Sequence, residues 1–223
     1  MKTSAFPVLA GLILVSAALF TSCVQKNYYN TAPNNTNNNN NSTTTPYIFD
    51  EEFNGADMYG WSFTDASDSA YASITGGSYQ YVDYSVSKSN MSVVNTGANM
   101  QGNFIVTTRI KSNKIMGLIF GASATDNGYA FYVDTAGYYS LYKEGTGTIV
   151  STAIIPSAQD TLYALKKDWN TLEVDQAGGN WTGYINGTQV FQMSARTVSG
   201  NSFGFKVLPG TIGYADYLIV KSY

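Results

Sequence analysis

Turn-forming residues interrupt the chain at short intervals from Pro46 to the C-terminus, and this feature constrains the fold most. Between the turns, apolar and polar residues alternate, which is the pattern of a half-buried strand. Glycine, asparagine and aspartate tolerate a positive φ or preset a tight turn, so consecutive strands should pair as antiparallel hairpins. The expected turns are Gly76-Gly77, Asp126-Asn127-Gly128, Thr135-Ala136-Gly137, Gly178-Gly179-Asn180, Asn186-Gly187 and Pro209-Gly210.

About fourteen short strands are predicted, and no long amphipathic helical pattern interrupts them. So many strands in one domain predict an all-β fold, an antiparallel β-sandwich or jelly roll of two packed sheets. The predicted strands are 47–53, 61–64, 71–75, 78–85, 104–111, 115–122, 129–134, 138–143, 148–153, 171–176, 181–186, 189–193, 202–208 and 212–220.

Alternation within these segments assigns their side chains to opposite faces of a sheet. The residues expected to face the core are Phe104, Val106, Ile110, Phe131, Val133, Leu141, Leu172 and Val174. Those expected to face outward are Thr107, Arg109, Tyr132, Asp134, Tyr138, Ser140, Tyr142, Glu173 and Asp175.

The first 45 residues follow a different pattern. A basic start and an apolar run from Phe6 to Phe20 are typical of a signal peptide, because a membrane span needs about 20 apolar residues. Residues 24–45 are rich in Asn, Thr and Ser and cannot bury apolar surface, which predicts a disordered tether. The chain therefore divides into a signal peptide at 1–22, a tether at 23–45 and one folded domain at 46–223.

The sequence Leu19-Phe20-Thr21-Ser22-Cys23 resembles the lipobox of bacterial lipoproteins, with Phe20 at the position where Leu is usual. That resemblance implies that Cys23, the one cysteine of the chain, carries a lipid and becomes the mature N-terminus. The protein is then expected to be held in the outer membrane or at the cell surface. A domain facing the periplasm remains an open alternative, because no acidic residue follows Cys23 directly as a surface-export signal.

Composition excludes several kinds of chemistry. The chain has no histidine, which removes histidine-based triads and histidine-ligated zinc, and its single cysteine removes an internal disulfide framework. A formal net charge of −3 without a basic cluster argues against a nucleic-acid partner.

Three consecutive predicted strands, MGLIFG at 116–121, NGYAFYV at 127–133 and GYYSLYK at 137–143, resemble the concanavalin A-like lectin and glucanase superfamily. The later runs WNTLEV at 169–174 and WTGYING at 181–187 extend the resemblance over about residues 50 to 223. The order of segments is similar to laminin G-like and 3-keto-disaccharide hydrolase-like domains. The resemblance implies a sandwich whose ligands include carbohydrate, and it carries no catalytic residue across.

Outward tyrosines beside polar groups are suited to sugars, which stack on aromatic rings and form hydrogen bonds with polar side chains. The sequence therefore predicts a non-catalytic glycan-binding surface, whose candidate residues are Arg109, Tyr132, Asp134, Tyr138 and Tyr142. The tryptophans at 61, 169 and 181 are expected to pack in the core or at its rim.

Two alternatives remain open. One is a glycoside or 3-keto-disaccharide hydrolase, for which the nearest carboxylate clusters are Glu51-Glu52 and Glu173 with Asp175, possible partners on one strand face. The other alternative is a structural envelope lipoprotein without a small ligand.

No cofactor is required by the sequence, but the laminin G-like resemblance allows calcium at Asp65-Ala66-Ser67-Asp68 or at Asp126-Asn127.

Overall fold

The computed structural model describes residues 27–31, 47–67, 69–86, 90–145, 150–160 and 164–223. The predicted signal peptide, Cys23 and most of the predicted tether lie outside these residues. Within them, no helix is long and apolar enough to cross a membrane. The strands are β1 Asn27–Thr31, β2 Tyr47–Glu51, β3 Phe63–Asp65, β4 Ala70–Thr75, β5 Ser78–Asp83, β6 Met91–Asn95, β7 Phe104–Ser112, β8 Ile115–Ala122, β9 Tyr129–Asp134, β10 Tyr138–Lys143, β11 Thr152–Gln159, β12 Asn170–Ala177, β13 Asn180–Ile185, β14 Thr188–Ser194, β15 Ser202–Val207 and β16 Thr211–Ser222.

These strands form two sheets, which confirms the predicted β-sandwich. Sheet A has the order β1-β6-β15-β8-β9-β10-β11, and sheet B has the order β14-β13-β12-β7-β16-β5-β4-β3, with β2 also paired to β16. Every pairing between described strands is antiparallel except that of β1 with β6. Both sheets contain predicted hairpins, β8 to β11 in sheet A and β12 to β14 in sheet B.

The core lies between the two sheets and is rich in aromatic side chains. Phe131 of β9 and Leu172 of β12, both predicted to face inward, are fully buried. The three residues of β7 that are predicted to face inward are buried as well. Trp61 and Trp181 are also fully buried in this core, and Trp181 makes an edge contact with Tyr129 at 4.6 Å between ring centres. The alternation of the sequence therefore predicts correctly which face of each of these strands is turned to the core.

Three elements differ from the sequence prediction. β6 is not predicted at all: its residues are buried on both faces, so the segment shows no alternation. β11 was expected at 148–153 but runs over Thr152–Gln159, where it is largely exposed at a sheet edge and accommodates Pro156. β1 lies inside the segment that the sequence predicts to be a disordered tether. Asn27–Thr31 forms a strand there because it pairs in parallel with β6.

Candidate functional site

The five candidate residues from the sequence do not form one surface. Tyr132 and Asp134 lie on β9 and Tyr138 and Tyr142 on β10, all in sheet A and turned away from the core. Arg109 lies on β7, which belongs to sheet B. The expectation that Arg109 lies near the tyrosines is wrong, because β7 pairs with β12 and β16 rather than with the strand that follows it.

Tyr132 is buried, not exposed as predicted. Its side chain is 5% exposed and belongs to a second, smaller apolar cluster on the outer face of sheet A. The ring lies over Gly117 so closely that a Cβ added at that glycine would be 2.5 Å from Tyr132 Cδ1. The Tyr132 hydroxyl donates a hydrogen bond of 2.9 Å to Glu144 Oε1. Tyr132 therefore has a structural role in this face and does not offer its ring to a ligand.

A buried ion pair accompanies Tyr132. Lys206 and Glu144 are 2% and 3% exposed, and the Lys206 ammonium donates to Glu144 Oε2, which also accepts from Ser151 Oγ at 3.0 Å. Burial acts to raise the pKa of Glu144, but the charge and hydrogen bond of Lys206 outweigh it, so that the pKa lies below its ordinary value. The carboxylate is thus ionised and satisfied by three donors, which leaves it unsuited to act as an acid or base.

The other candidates on sheet A have local roles. Asp134 Oδ1 accepts the backbone N–H of Ala136 at 2.9 Å and that of Tyr138 at 2.8 Å, and so fixes the β9–β10 turn. Tyr142 makes an edge contact with Tyr132 at 6.0 Å between ring centres. Tyr138 is 37% exposed and is the most exposed aromatic ring of this set, while Tyr142 is half-buried.

The outer face of sheet B carries a different arrangement, which we call the aromatic–cation face. Its residues come from neighbouring strands because Gln80 of β5 is paired with Tyr214 of β16, and Tyr214 with Lys111 of β7. Trp169 directly precedes Asn170, the residue of β12 that pairs with Ile110. The face consists of Gln80, Arg109, Lys111, Trp169, Tyr214 and Asp216, all half-buried.

The cations of this face lie against its rings. Lys111 Nζ is 4.6 Å from the ring centre of Trp169 and 5.4 Å from that of Tyr214. The guanidinium carbon of Arg109 is 5.1 Å from the Trp169 ring centre. Each such contact is worth about 0.5–1 kcal/mol at an exposed site. The two rings and the two cations therefore hold one another in place on a partly exposed surface.

Polar groups border the same rings. Arg109 Nη1 donates to Asp216 Oδ2 at 2.9 Å, and Gln80 Nε2 donates to the Tyr214 hydroxyl at 3.0 Å. Lys111 Nζ is 3.8 Å from Asp168 Oδ1, at an exposed position. A shallow depression adjoins Lys111, and the exposed Lys166 and Lys167 line it together with Asp134.

The proposed calcium ligands act in turns. Asp65 Oδ1 accepts the backbone N–H and the hydroxyl of Ser67, while Asp68 lies outside the described residues. Asp126 accepts from Lys143 Nζ at 2.5 Å, from Ser199 Oγ at 2.5 Å and from the Gly128 N–H at 2.8 Å. Burial acts to raise the pKa of Asp126, but these hydrogen bonds outweigh it and the pKa is lowered. An ammonium thus occupies the side of Asp126 that a cation would need.

The carboxylates considered for catalysis are separated between two regions. Glu51, the last residue of β2, accepts from the Phe53 N–H at 2.8 Å and from Trp61 Nε1 at 3.2 Å, and so holds the loop after β2 in place. Glu173 and Asp175 share the outer face of sheet B, where Glu173 Oε2 accepts from Thr107 Oγ1 at 3.0 Å. The described residues hold no group of three or more acidic or cysteine side chains placed to bind a metal.

Sequence reasoning missed most of the aromatic–cation face. The alternation of β7 does place Lys111 outward together with Arg109, since both have the opposite parity to Ile110. The sequence predicts a packing role for Trp169 and carries no signal that singles out Tyr214. Nothing in the sequence shows that β16 returns to lie between β5 and β7, which is the pairing that brings these residues together.

No protein-family model and no curated protein matches this chain. Among solved structures, it is similar to the carbohydrate-binding module CBM66 from Bacillus subtilis, at 14% identity over 78% of this chain and 95% of the other, with a TM-score of 0.46. It is also similar to a β-glucanase from Bacillus licheniformis, at 10% identity over 79% and 98%, with a TM-score of 0.48. The galectin LEC-6 from Caenorhabditis elegans is 15% identical over 55% and 84%, with a TM-score of 0.39.

These likenesses are to a carbohydrate-binding module, a glucanase and a galectin. At such identities and TM-scores they concern the fold alone. The function must therefore be argued from the residues of this chain.

Proposed function

We propose that the protein binds carbohydrate without catalysis, and that the ligand lies on the aromatic–cation face. The observation that carries the proposal is the position of the Lys111 ammonium, 4.6 Å and 5.4 Å from the ring centres of Trp169 and Tyr214. Half-buried rings with fixed polar neighbours are the chemical requirement for binding a sugar, whose C–H face is apolar and whose edge carries hydroxyls.

The arrangement is organised before a ligand arrives. Lys111 and Arg109 both lie against Trp169, and Arg109 is in turn held by Asp216 at 2.9 Å. Ordering a long side chain on binding costs about 0.5–1.5 kcal/mol, so groups that are already held lose less affinity to entropy. This favours the aromatic–cation face over the outer surface of sheet A, where Tyr132 is buried and Tyr138 is the most exposed ring.

Hydrogen-bonding capacity surrounds the rings on several sides. Gln80 offers amide groups beside Tyr214, and Asp216 offers carboxylate oxygens beside Arg109. Donors and acceptors at the edge of an aromatic platform are what fix the orientation of a sugar ring. An extended polysaccharide fits such an open face better than a small molecule, which needs an enclosed pocket.

A glycan array read with two variants tests the proposal. Trp169→Ala should lower the affinity for any bound glycan by at least about tenfold, because tryptophan anchors carry much of the energy of an interface. Tyr138→Ala is the matched control, since it removes an accessible ring from the other sheet, and it should change affinity less than about twofold. Loss of binding in Tyr138→Ala with retention in Trp169→Ala would move the site to sheet A, and no binding to any glycan would refute the function.

The same samples separate binding from hydrolysis. Wild-type protein incubated with each bound polysaccharide should release no new reducing ends. Release of reducing ends by the wild type that stops in Glu173→Gln or Asp175→Asn would instead establish the hydrolase alternative. These two carboxylates lie on the outer face of sheet B, which also carries the aromatic–cation face.

We further propose that Cys23 carries a lipid that anchors the domain to the outer membrane or cell surface, with residues 24–45 as its spacer. The support is the lipobox-like sequence, with the single cysteine at the one position that the motif requires. Each buried methylene of an acyl chain contributes about 0.8 kcal/mol, so several chains anchor firmly. In cell fractionation, Cys23→Ser should move the protein from the membrane to the soluble fraction, and a variant that stays in the membrane fraction contradicts the anchor.

A further inference from the structure

Four cations gather at one end of sheet B, in a chain whose formal net charge is −3. Arg109 and Lys111 belong to the aromatic–cation face, while Lys166 and Lys167 line the depression beside Lys111. The chain has 12 lysines and arginines in all, so a third of its cations serve this one region. Asp134, Asp168 and Asp216 lie beside these cations, so the region holds four cations against three carboxylates and has one positive charge in excess.

These cations differ in how far they are neutralised. Arg109 is paired with Asp216 at 2.9 Å, and Lys111 approaches Asp168 at 3.8 Å. In the part of the chain that the structure describes, no ion pair holds the ammonium of Lys166 or Lys167. Both side chains are exposed, so their charge is available to a ligand that lies on the rings and extends into the depression.

We infer that the ligand is an acidic polysaccharide, whose sugars carry anionic groups at the edge of the ring. This inference rests on the proposed function and adds the substrate class. Lys111 and Arg109 lie over the Trp169 ring, so a sugar on this face meets these cations, and its ring substituents reach toward the depression. A carboxylate there exchanges hydration for charge-assisted hydrogen bonds with ammonium groups, whereas a neutral hydroxymethyl group gains much less.

The inference is tested with two forms of one polymer. Polygalacturonate and its carboxyl-reduced product have the same backbone and linkage, and they differ only in that a neutral hydroxymethyl group replaces each carboxylate. By isothermal titration calorimetry at low salt, the wild-type protein should bind the acidic form several-fold more tightly. The preference should diminish as salt rises, because the screening length falls from about 10 Å at 0.1 M to about 3 Å at 1 M.

Charge variants locate the effect. The double variant Lys166→Gln, Lys167→Gln should bind polygalacturonate about three- to tenfold more weakly while binding the reduced polymer as the wild type does. Lys221→Gln is the control, since it removes an exposed cation from the far end of β16, and it should leave both affinities unchanged. All these residues are exposed, so the variants should fold.

The outcomes separate this inference from the proposed function. Equal binding of both polymers, with no effect of the double variant, overturns the assignment to acidic polysaccharides. If Trp169→Ala still abolishes the binding of both polymers, the proposed sugar binding stands. Polyglutamate bound as tightly as polygalacturonate would overturn the sugar assignment and indicate an acidic peptide. A protein that binds neutral glycans of the array and neither polymer also overturns the inference.

Discussion

At the residue scale, alternation along a strand predicts which side of the sheet a residue faces but not whether that side is wet. Tyr132 and Lys206 both point away from the core, and yet they are 5% and 2% exposed. The reason is local packing, because Gly117 leaves room for the Tyr132 ring to lie flat on the sheet and to reach Glu144. The sequence cannot show that Tyr132 packs over Gly117, because this contact depends on the register of β8 against β9.

The close contact of Tyr132 with Gly117 gives the first prediction. Gly117→Ala should lower the free energy of unfolding by about 1–3 kcal/mol, since the added Cβ would lie 2.5 Å from Tyr132 Cδ1 and must displace the ring. In a Tyr132→Ala background the same substitution should cost close to nothing, because the obstructing ring is gone. Urea unfolding of the four proteins measures the coupling, and equal costs in both backgrounds would contradict the contact.

At the scale of the element, hairpins of consecutive strands are readable from the sequence, and strands that return from a distance are not. The predictions for β8, β9 and β10 agree with the structure at both ends, since each is bounded by turn residues. By contrast, β15 and β16 pair with strands far away in sequence, and no local signal indicates which strands these partners are. The aromatic–cation face depends on such a pairing, so its residues were predicted one by one or not at all.

Turn chemistry can be tested at the β13–β14 hairpin. Asn186 and Gly187 both have positive φ, at 50° and 79°, which is why an Asn-Gly pair occupies this turn. Gly187→Ala should lower the free energy of unfolding by about 1 kcal/mol through backbone strain alone, because nothing lies within 4 Å of the added Cβ. Gly55→Ala meets nothing within 4 Å and has no positive φ, so it should be neutral in the same denaturation assay. Equal effects of the two would remove φ as the cause.

At the scale of the whole molecule, the fold class follows from composition and from the spacing of turn residues, whereas the candidate site depends on the order of strands in the sheet. Short alternating segments with turns between them permit few arrangements other than two stacked antiparallel sheets. Which outer face binds a ligand depends instead on strand order, because that order determines which side chains become neighbours. Arg109 shows the difference: its outward direction was predicted correctly from its own strand, and its neighbours were not.

The charge composition of the whole chain sets the last prediction, the dependence of stability on pH. The chain has no histidine, so no side chain has an ordinary pKa between pH 5 and 8. Burial raises the pKa of Glu51 from 4.5, so we expect the free energy of unfolding to be flat between pH 6 and 8. Burial acts to raise the pKa of Glu144, but Lys206 outweighs it, so the pKa is lowered from 4.5. The contribution of Glu144 to the free energy of unfolding is therefore present above pH 4.5 and is lost as the pH falls below it. Burial raises the pKa of Tyr132 well above 10.0, so its contribution is present below pH 10 and is lost as the pH rises further. Urea midpoints measured from pH 3 to 11 should show this plateau with two falling limbs. The double variant Glu144→Gln, Lys206→Met should lessen the acid limb, and it should also lessen the alkaline limb, because Glu144 helps to raise the pKa of Tyr132. A step between pH 6 and 8 would contradict the assignment, because no side chain of the folded domain has its ordinary pKa in that interval.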